Sequence, residues 1–290
     1  MNKEKPNIWP KISIVTPSFN QCKYLERTIE SVLSQNYPNL EYLIIDGGST
    51  DSSIEIIKQY ADKISFWVSE KDNGQADSIK KGLDRATGDI FAFLNSDDVL
   101  TEKSLFIVAE EFNNNKDLGV LAGAGGMIDS NDNFLYGTYP LGWNRYILLS
   151  SQSRYMQPSV FYSKKSYKQA GGINPDMKCC LDFEFFVRLA DTKIKHKIIY
   201  KKLSYTRLHP LTKTATWQEI SDKEKYEIYK KYNFNDNNIK YKLFFMYNRV
   251  KHFLFRIYYE GILNTLKKRS RKILYEHNTG NNNIHKRDNF

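Results

Sequence analysis

Strand-like and helix-like segments alternate along the first hundred residues, which predicts an α/β fold with a mainly parallel sheet flanked by helices. Two further observations agree with this. Three of the four short apolar runs end in polar turn-forming loops, and helix-like segments follow the first three. With 290 residues, 41% hydrophobic and 26% charged, the chain is long enough for one large domain and an appendage.

Ile12 to Thr16 reads as a buried strand running into Pro17 and Ser18. A helix follows from Tyr24 to Ser34, with Leu25, Ile29, Val32 and Leu33 on one face and Asn36 and Pro38 closing it. The second strand, Glu41 to Ile45, stops at Asp46-Gly47-Gly48, and Ser49 or Asp51 is expected to cap a helix reaching Tyr60. A third strand, Ile64 to Val68, precedes a helix from Gln75 to Ala86 that ends near Gly88. The fourth, Ile90 to Leu94, runs into Asn95-Ser96-Asp97-Asp98. In parallel α/β sheets ligands bind outside the carboxyl ends of the strands, so the loops TPSFN, DGGSTD and NSDD should converge on one cleft.

Beyond the fourth strand, Gly123 to Gly137 is rich in glycine and asparagine and reads as turns with short strands. Phe183 to Leu189 resembles a buried helix, and after Trp217 the pattern shifts to Lys, Tyr, Phe and Ile at helical spacing. A boundary near Thr216 then separates a main domain, 1–216, from a basic and aromatic helical segment, 217–275, and a polar, disordered tail, 276–290.

A net charge of +10 favours anionic partners: nucleotide phosphates, acidic lipid or nucleic acid. No nucleic-acid motif is present and the basic residues cluster late in the chain, so nucleic acid is not an expected partner. The three cysteines lack zinc or disulfide spacing, which suits a reducing compartment. No segment has the length of a signal peptide core or of a membrane span, so a cytoplasmic protein is expected.

Chemistry concentrates at the strand ends. Asp97 and Asp98 follow a buried strand, and hard cations such as Mn2+ or Mg2+ take one or two carboxylates and complete their shell with phosphate oxygens and water. Asp46 precedes two glycines that let a ligand approach the backbone, so its carboxylate suits a ribose hydroxyl or a base N–H. Asp77 sits in the first turn of a helix whose N-terminus faces either a phosphate or solvent as a plain cap. Asp182 and Glu184 lie among apolar residues that would raise a buried carboxyl's pKa, and about 200° separates them on a helix, so one alone faces the cleft. Asp182 suits a general base, while Glu184 has the spacing for an ion pair with Arg188. In RLHPLTKT, His209 could complete a metal shell or be a loop residue, and Arg207 and Lys213 could hold diphosphate charge.

The segments TPSFNQ, IIDGGSTD, DNGQADSIKKG, ATGDIFAFLNSDD and GGIN followed by LDFEFFVRL occur in the order found in family 2 glycosyltransferases with the Rossmann-like GT-A fold, which residues 10 to 215 thus resemble. The resemblance implies an inverting transfer of a sugar from a nucleotide-diphospho-sugar to a hydroxyl acceptor, with a divalent metal, Mn2+ or Mg2+. Pro17, Ser18, Phe19 and Asp46 would surround the base and ribose, Asp97 would be the metal ligand with Asp98 beside it, and Asp182 the catalytic base. Asn95 replaces the first acid of the usual Asp-x-Asp, giving a neutral contact to the ribose, and Leu181 stands where a Glu often precedes the base. An arginine common in the helix after the third strand is absent, with Ile79 and Lys80 nearby. Bacterial surface polysaccharide assembly is the implied setting. A metal-dependent nucleotidyltransferase is the rival enzyme class, but TPSFNQ has no glycine for its phosphate loop.

The stretch YKLFFMYNRVKHFLFRIYYEGILNTLKKRSRKIL alternates aromatic clusters with Lys and Arg. Two readings stand: an interfacial helix meeting acidic lipid on the inner face of the plasma membrane, or a helical pair packed on the main domain. The first would suit a lipid-linked saccharide as acceptor.

Overall fold

The computed structural model describes residues 9–150, 155–210 and 216–235, with separate positions between 242 and 257. The expected tail, 276–290, lies outside the described residues. The first half is built as the sequence predicts. Strands β1 (Ile12–Ser18), β2 (Leu40–Asp46), β3 (Phe66–Ser69) and β4 (Ile90–Phe93) alternate with helices α1 (Cys22–Leu33), α2 (Ser53–Gln59) and α3 (Gln75–Arg85). They form the parallel half of a sheet, in the order β3-β2-β1-β4.

The second half continues the same sheet with mixed directions. It comprises β5 (Val99–Leu100), α4 (Ser104–Asn114), β6 (Val120–Ile128), β7 (Phe134–Thr138), α5 (Arg145–Leu149), β8 (Val160–Ser163), α6 (Lys164–Gln169), α7 (Leu181–Asp191) and β9 (His196–Arg207). β8 pairs antiparallel with both β4 and β6, β9 runs parallel to β6, and β5 closes the far edge against β9. A last described helix, α8 (Gln218–Lys231), follows the sheet.

Side chains on a strand alternate between faces, and the two faces here are both apolar. Val15, Leu43, Ile45 and Phe93 pack with Ile79 and Leu83 of α3 and Phe185 of α7 on one side. Ile14, Tyr42, Ile44 and Ala92 pack with Leu25 and Ile29 of α1 and Val108 of α4 on the other. Burial on both faces explains why these strands read as continuous apolar runs.

Two expectations change. The stretch from Gly123 to Gly137 is more strand than turn, because β6 runs on to Ile128 and, after a turn at 129–133, β7 pairs back with it as a hairpin. Its glycines are space-makers: a Cβ at Gly123 would lie 2.4 Å from Leu203 Cδ1, and one at Gly125 would lie 2.5 Å from Met156 Cγ. The boundary near Thr216 also falls beside a helix that shares the main core. Ile228 of α8 is buried within it, and Tyr229, Tyr232 and Phe234 pack against it.

Candidate active site

Strand register gathers the polar loops at one edge. Ser18 stands opposite Asp46, and Asp46 opposite Ser69, so β1, β2 and β3 end together. The Leu94 N–H donates to the Val15 carbonyl (2.9 Å), which delivers Asn95 to the same edge.

The two acids of the NSDD turn have opposite fates. Asp97 retains some solvent access, and its Oδ2 lies 3.1 Å from Nε2 of the buried His209. Asp98 is 2% exposed, and its Oδ1 accepts the Arg207 backbone N–H at 3.0 Å. Burial and the neighbouring Asp97 charge hold the Asp98 carboxyl well above the usual range. Asp98, expected beside Asp97 as a metal ligand, is thus turned into the protein to hold the end of β9. Arg207 is also committed: its guanidinium is buried, donates to the carbonyls of Asp97 (2.9 Å) and Asp129 (3.1 Å), and pairs with Asp132. It braces the turn instead of reaching for a diphosphate. Lys213 lies outside the described residues.

Asn95 sits in a chain of three amides that reading the sequence did not find. Gln157 Nε2 donates to the Phe93 carbonyl (2.7 Å), and only an NH2 group can do so, which turns Gln157 Oε1 toward Asn95. Asn95 Nδ2 therefore donates to Gln157 Oε1 (3.4 Å) and Asp98 Oδ2 (3.3 Å), while its Oδ1 accepts from Gln75 Nε2 (2.7 Å). A neutral amide suits this position, its nitrogen facing Gln157 Oε1 and Asp98 Oδ2 while its oxygen meets a donor. A lone glutamine in MQPS carries no pattern that points to this role.

Asp46 is fully buried, and its carboxylate accepts from the Gly48 and Ser49 N–H groups and from the hydroxyls of Ser49 and Ser69. Three of those donors meet Oδ1 and one meets Oδ2, and with the residue fully buried the carboxylate organises the loop, in place of the expected direct contact with a ribose or base. Ser49 serves Asp46, leaving Asp51 to accept the Ser53 N–H at the start of α2 (2.9 Å). Pro17 is buried beside Ser18, whose hydroxyl is buried with no partner, an orphan that a ligand would satisfy. Phe19 next to it is 58% exposed, an apolar ring at the mouth of the edge. Asp77 behaves as a cap: its Oδ2 accepts the Asn73 N–H (3.1 Å) and lies 3.4 Å from Lys81 Nζ. Burial alone would raise its pKa, but Asn73 and Lys81 more than reverse this and hold it below the usual value.

Asp182 lies in the first turn of α7, and its Oδ1 accepts the Phe183 N–H (2.8 Å). Burial raises its pKa, against the opposing pull of that N–H and of Lys225. Glu184 has the partner expected of it, with Arg188 Nε donating to both of its oxygens at 2.8 and 3.0 Å. The entrance to α7 is tied to the loop after β3, because Lys178 Nζ donates to the Asn73 carbonyl (2.9 Å).

The donor set at Asp97 suits a divalent cation. One carboxylate oxygen and one imidazole nitrogen approach within hydrogen-bond distance, at the position where a metal would take the place of their shared proton. Among the described residues no three His, Cys, Asp or Glu side chains are arranged to hold a metal ion, so a cation here would draw its remaining ligands from phosphate and water.

The family model described as Glycosyl transferase family 2 matches residues 13–165. A Bacillus subtilis (strain 168) protein named for teichuronic acid biosynthesis, the glycosyltransferase TuaG, is 41% identical over 92 residues, covering 31% of this chain and 36% of TuaG. Three such curated relatives are matched over only 38, 40 and 36% of their own length. Among solved structures, S. aureus TarS 1-349 in complex with UDP-GlcNAc has a TM-score of 0.56 at 20% identity, covering 69% of this chain and 59% of that one. The mannosyltransferase PcManGT of Pyrobaculum calidifontis, in complex with GDP-Man and Mn2+, has a TM-score of 0.57 at 14% identity, covering 89% of this chain and 74% of that one. At these identities the two structures establish the fold. Asp182, His209 and α8 all lie beyond the matched stretch.

Proposed function

Because the chain belongs to glycosyl transferase family 2, we propose that it transfers a sugar from a nucleotide-diphospho-sugar to a hydroxyl acceptor, with inversion at the anomeric carbon. The observation that carries this reading is Asp97, a carboxylate with solvent access held against the His209 imidazole at the carboxyl edge of the sheet. Asp97 and His209 would hold Mn2+ or Mg2+, whose charge opposes the negative charge that develops on the departing diphosphate. Phe19 offers its exposed ring to the base, with Pro17 behind it. The unpartnered Ser18 hydroxyl is available to the nucleoside, and Asp46 keeps Gly47 and Gly48 in place for a close backbone approach. Asn95 would offer the second lone pair of its carbonyl oxygen to the donor, and Asp77 would act through the loop it caps.

Asp182 is the general base of this reading. Its raised pKa matches proton transfer from the acceptor hydroxyl as that oxygen attacks the anomeric carbon in line with the leaving group. A donor panel of UDP- and GDP-sugars, with Mn2+, reads the reaction as release of nucleoside diphosphate, and NMR of the product reads the anomeric configuration. Absence of turnover and of donor binding across the panel, or a retained configuration, would overturn the proposal.

Surface polysaccharide assembly is the setting we favour, supported by the name of TuaG. Among the described residues no helix is long and apolar enough to cross a membrane. Leu243, Met246, Tyr247, Val250, Phe253 and Leu254 recur at helical spacing and each is 50% or more exposed. With basic residues interleaved, they support contact with the anionic inner face of the plasma membrane and a lipid-linked saccharide acceptor. Co-sedimentation with phosphatidylserine vesicles that fails at low salt would remove the membrane contact.

A further inference from the structure

We propose that Glu224, on α8, is a positioning residue of the transfer reaction: its carboxylate anchors the chain entering α7 and so sets where Asp182 stands. The proposal rests on Asp182 being the base. The N-terminus of α7 lacks a cap of its own, since Cys180 at that position makes no side-chain hydrogen bond to the helix. Within α7 Asp182 takes the Phe183 N–H, and the amides leading into the helix find their acceptor on α8. Glu224 Oε1 accepts the Lys178 N–H (2.6 Å), and Oε2 accepts the N–H groups of Cys179 (3.0 Å) and Cys180 (2.8 Å).

Three successive amides on one carboxylate form an anion-binding nest, and negative charge there also complements the helix dipole. Asp182 follows two residues after the last of them. The Cys180 thiol reaches the Ser221 carbonyl (3.5 Å), and Ile228 is buried in the core, so α8 is held at a second and a third point. On the other side of the anchored segment, Lys178 Nζ holds the Asn73 carbonyl in the loop that opens α3. Glu224 thus joins the helix after the sheet to the base-bearing helix, and through Lys178 to the loop proposed to face the donor.

The test uses the full chain, with Glu224→Gln, Glu224→Ala and Asp182→Asn assayed on whichever UDP- or GDP-sugar the wild type turns over. Tyr226→Ala, on the exposed side of α8, is the control. For both Glu224 variants kcat should fall about tenfold or more, with the donor KM within about twofold, because a displaced base costs rate and not donor affinity. The acid limb of the kcat profile should move to lower pH. Removing the Glu224 negative charge from the segment that ends two residues before Asp182 favours the Asp182 carboxylate. A folded Glu224→Gln protein with wild-type kcat and an unmoved acid limb overturns the proposal, as does a loss confined to thermal stability or to KM. If Glu224→Ala does not fold, the Gln variant decides. Transfer retained in Asp182→Asn overturns the reading beneath the proposal and is seen separately, whatever the Glu224 variants do.

Discussion

At the residue scale, the site is defined by which polar atoms are already used. Asn95 illustrates this, because restoring the acid usual in the Asp-x-Asp motif would face a carboxylate toward Asp98 Oδ2 and Gln157 Oε1. Gln157 cannot rotate without abandoning the Phe93 carbonyl. We expect Asn95→Asp to cost about 1–3 kcal/mol in urea unfolding, with the loss easing as pH falls. The sign follows from the added carboxylate: packed against the buried Asp98 carboxyl, whose own pKa is raised, it favours its protonated form in the fold, so the penalty grows as pH rises. Equal stability of variant and wild type at neutral pH would show that the amide chain does not constrain this position. Asp182→Asn should abolish transfer while leaving donor binding intact by calorimetry. In the wild type, kcat should decline as pH falls through the raised Asp182 pKa, since the base must be deprotonated to act.

At the scale of the elements, α7 is held by contacts that its sequence only half announces. The Glu184 to Arg188 spacing is legible as an ion pair, and it forms. The rest of Arg188's work is tertiary: its guanidinium also donates to the carbonyls of Ala170 and of Gly172, the latter at 2.7 Å. Arg188→Ala should therefore cost about 3–5 kcal/mol, because Glu184 is left buried and two carbonyls lose a donor. A loss below about 1 kcal/mol in denaturant unfolding would mean the pair behaves as an exposed one. The β6 strand shows the opposite case. Its glycines read as turn formers until Leu203 and Met156 are seen to fill the space where their side chains would be.

For the whole molecule, the proposed catalytic unit extends past the boundary that composition suggests. Cutting the chain after Thr216 removes Ile228 from the core and Glu224 from the entrance to α7. We expect that truncation to lower the melting temperature and eliminate transfer, whereas cutting after Asn235 should preserve donor turnover and lose vesicle binding. A fully active 1–216 fragment would restore the simpler division. The outcome tests the two roles proposed within the helical segment, α8 serving the site and the later positions meeting the membrane.

Periodicity and turn residues determined the parallel half of this protein, because a buried strand and an amphipathic helix each impose a local repeat on the chain. Strand ends in such a sheet must lie together, so TPSFN, DGGSTD and NSDD could be assigned to one edge before any coordinate. The direction each carboxylate faces was decided by tertiary structure. Asp97 and Asp98 are adjacent and chemically identical, yet one meets His209 with access to solvent and the other is buried against the Arg207 backbone. Both partners lie more than a hundred residues away in the chain. Glu224 is the same case: nothing local marks it, because the amides it holds belong to another helix and meet it only when the core brings the two together.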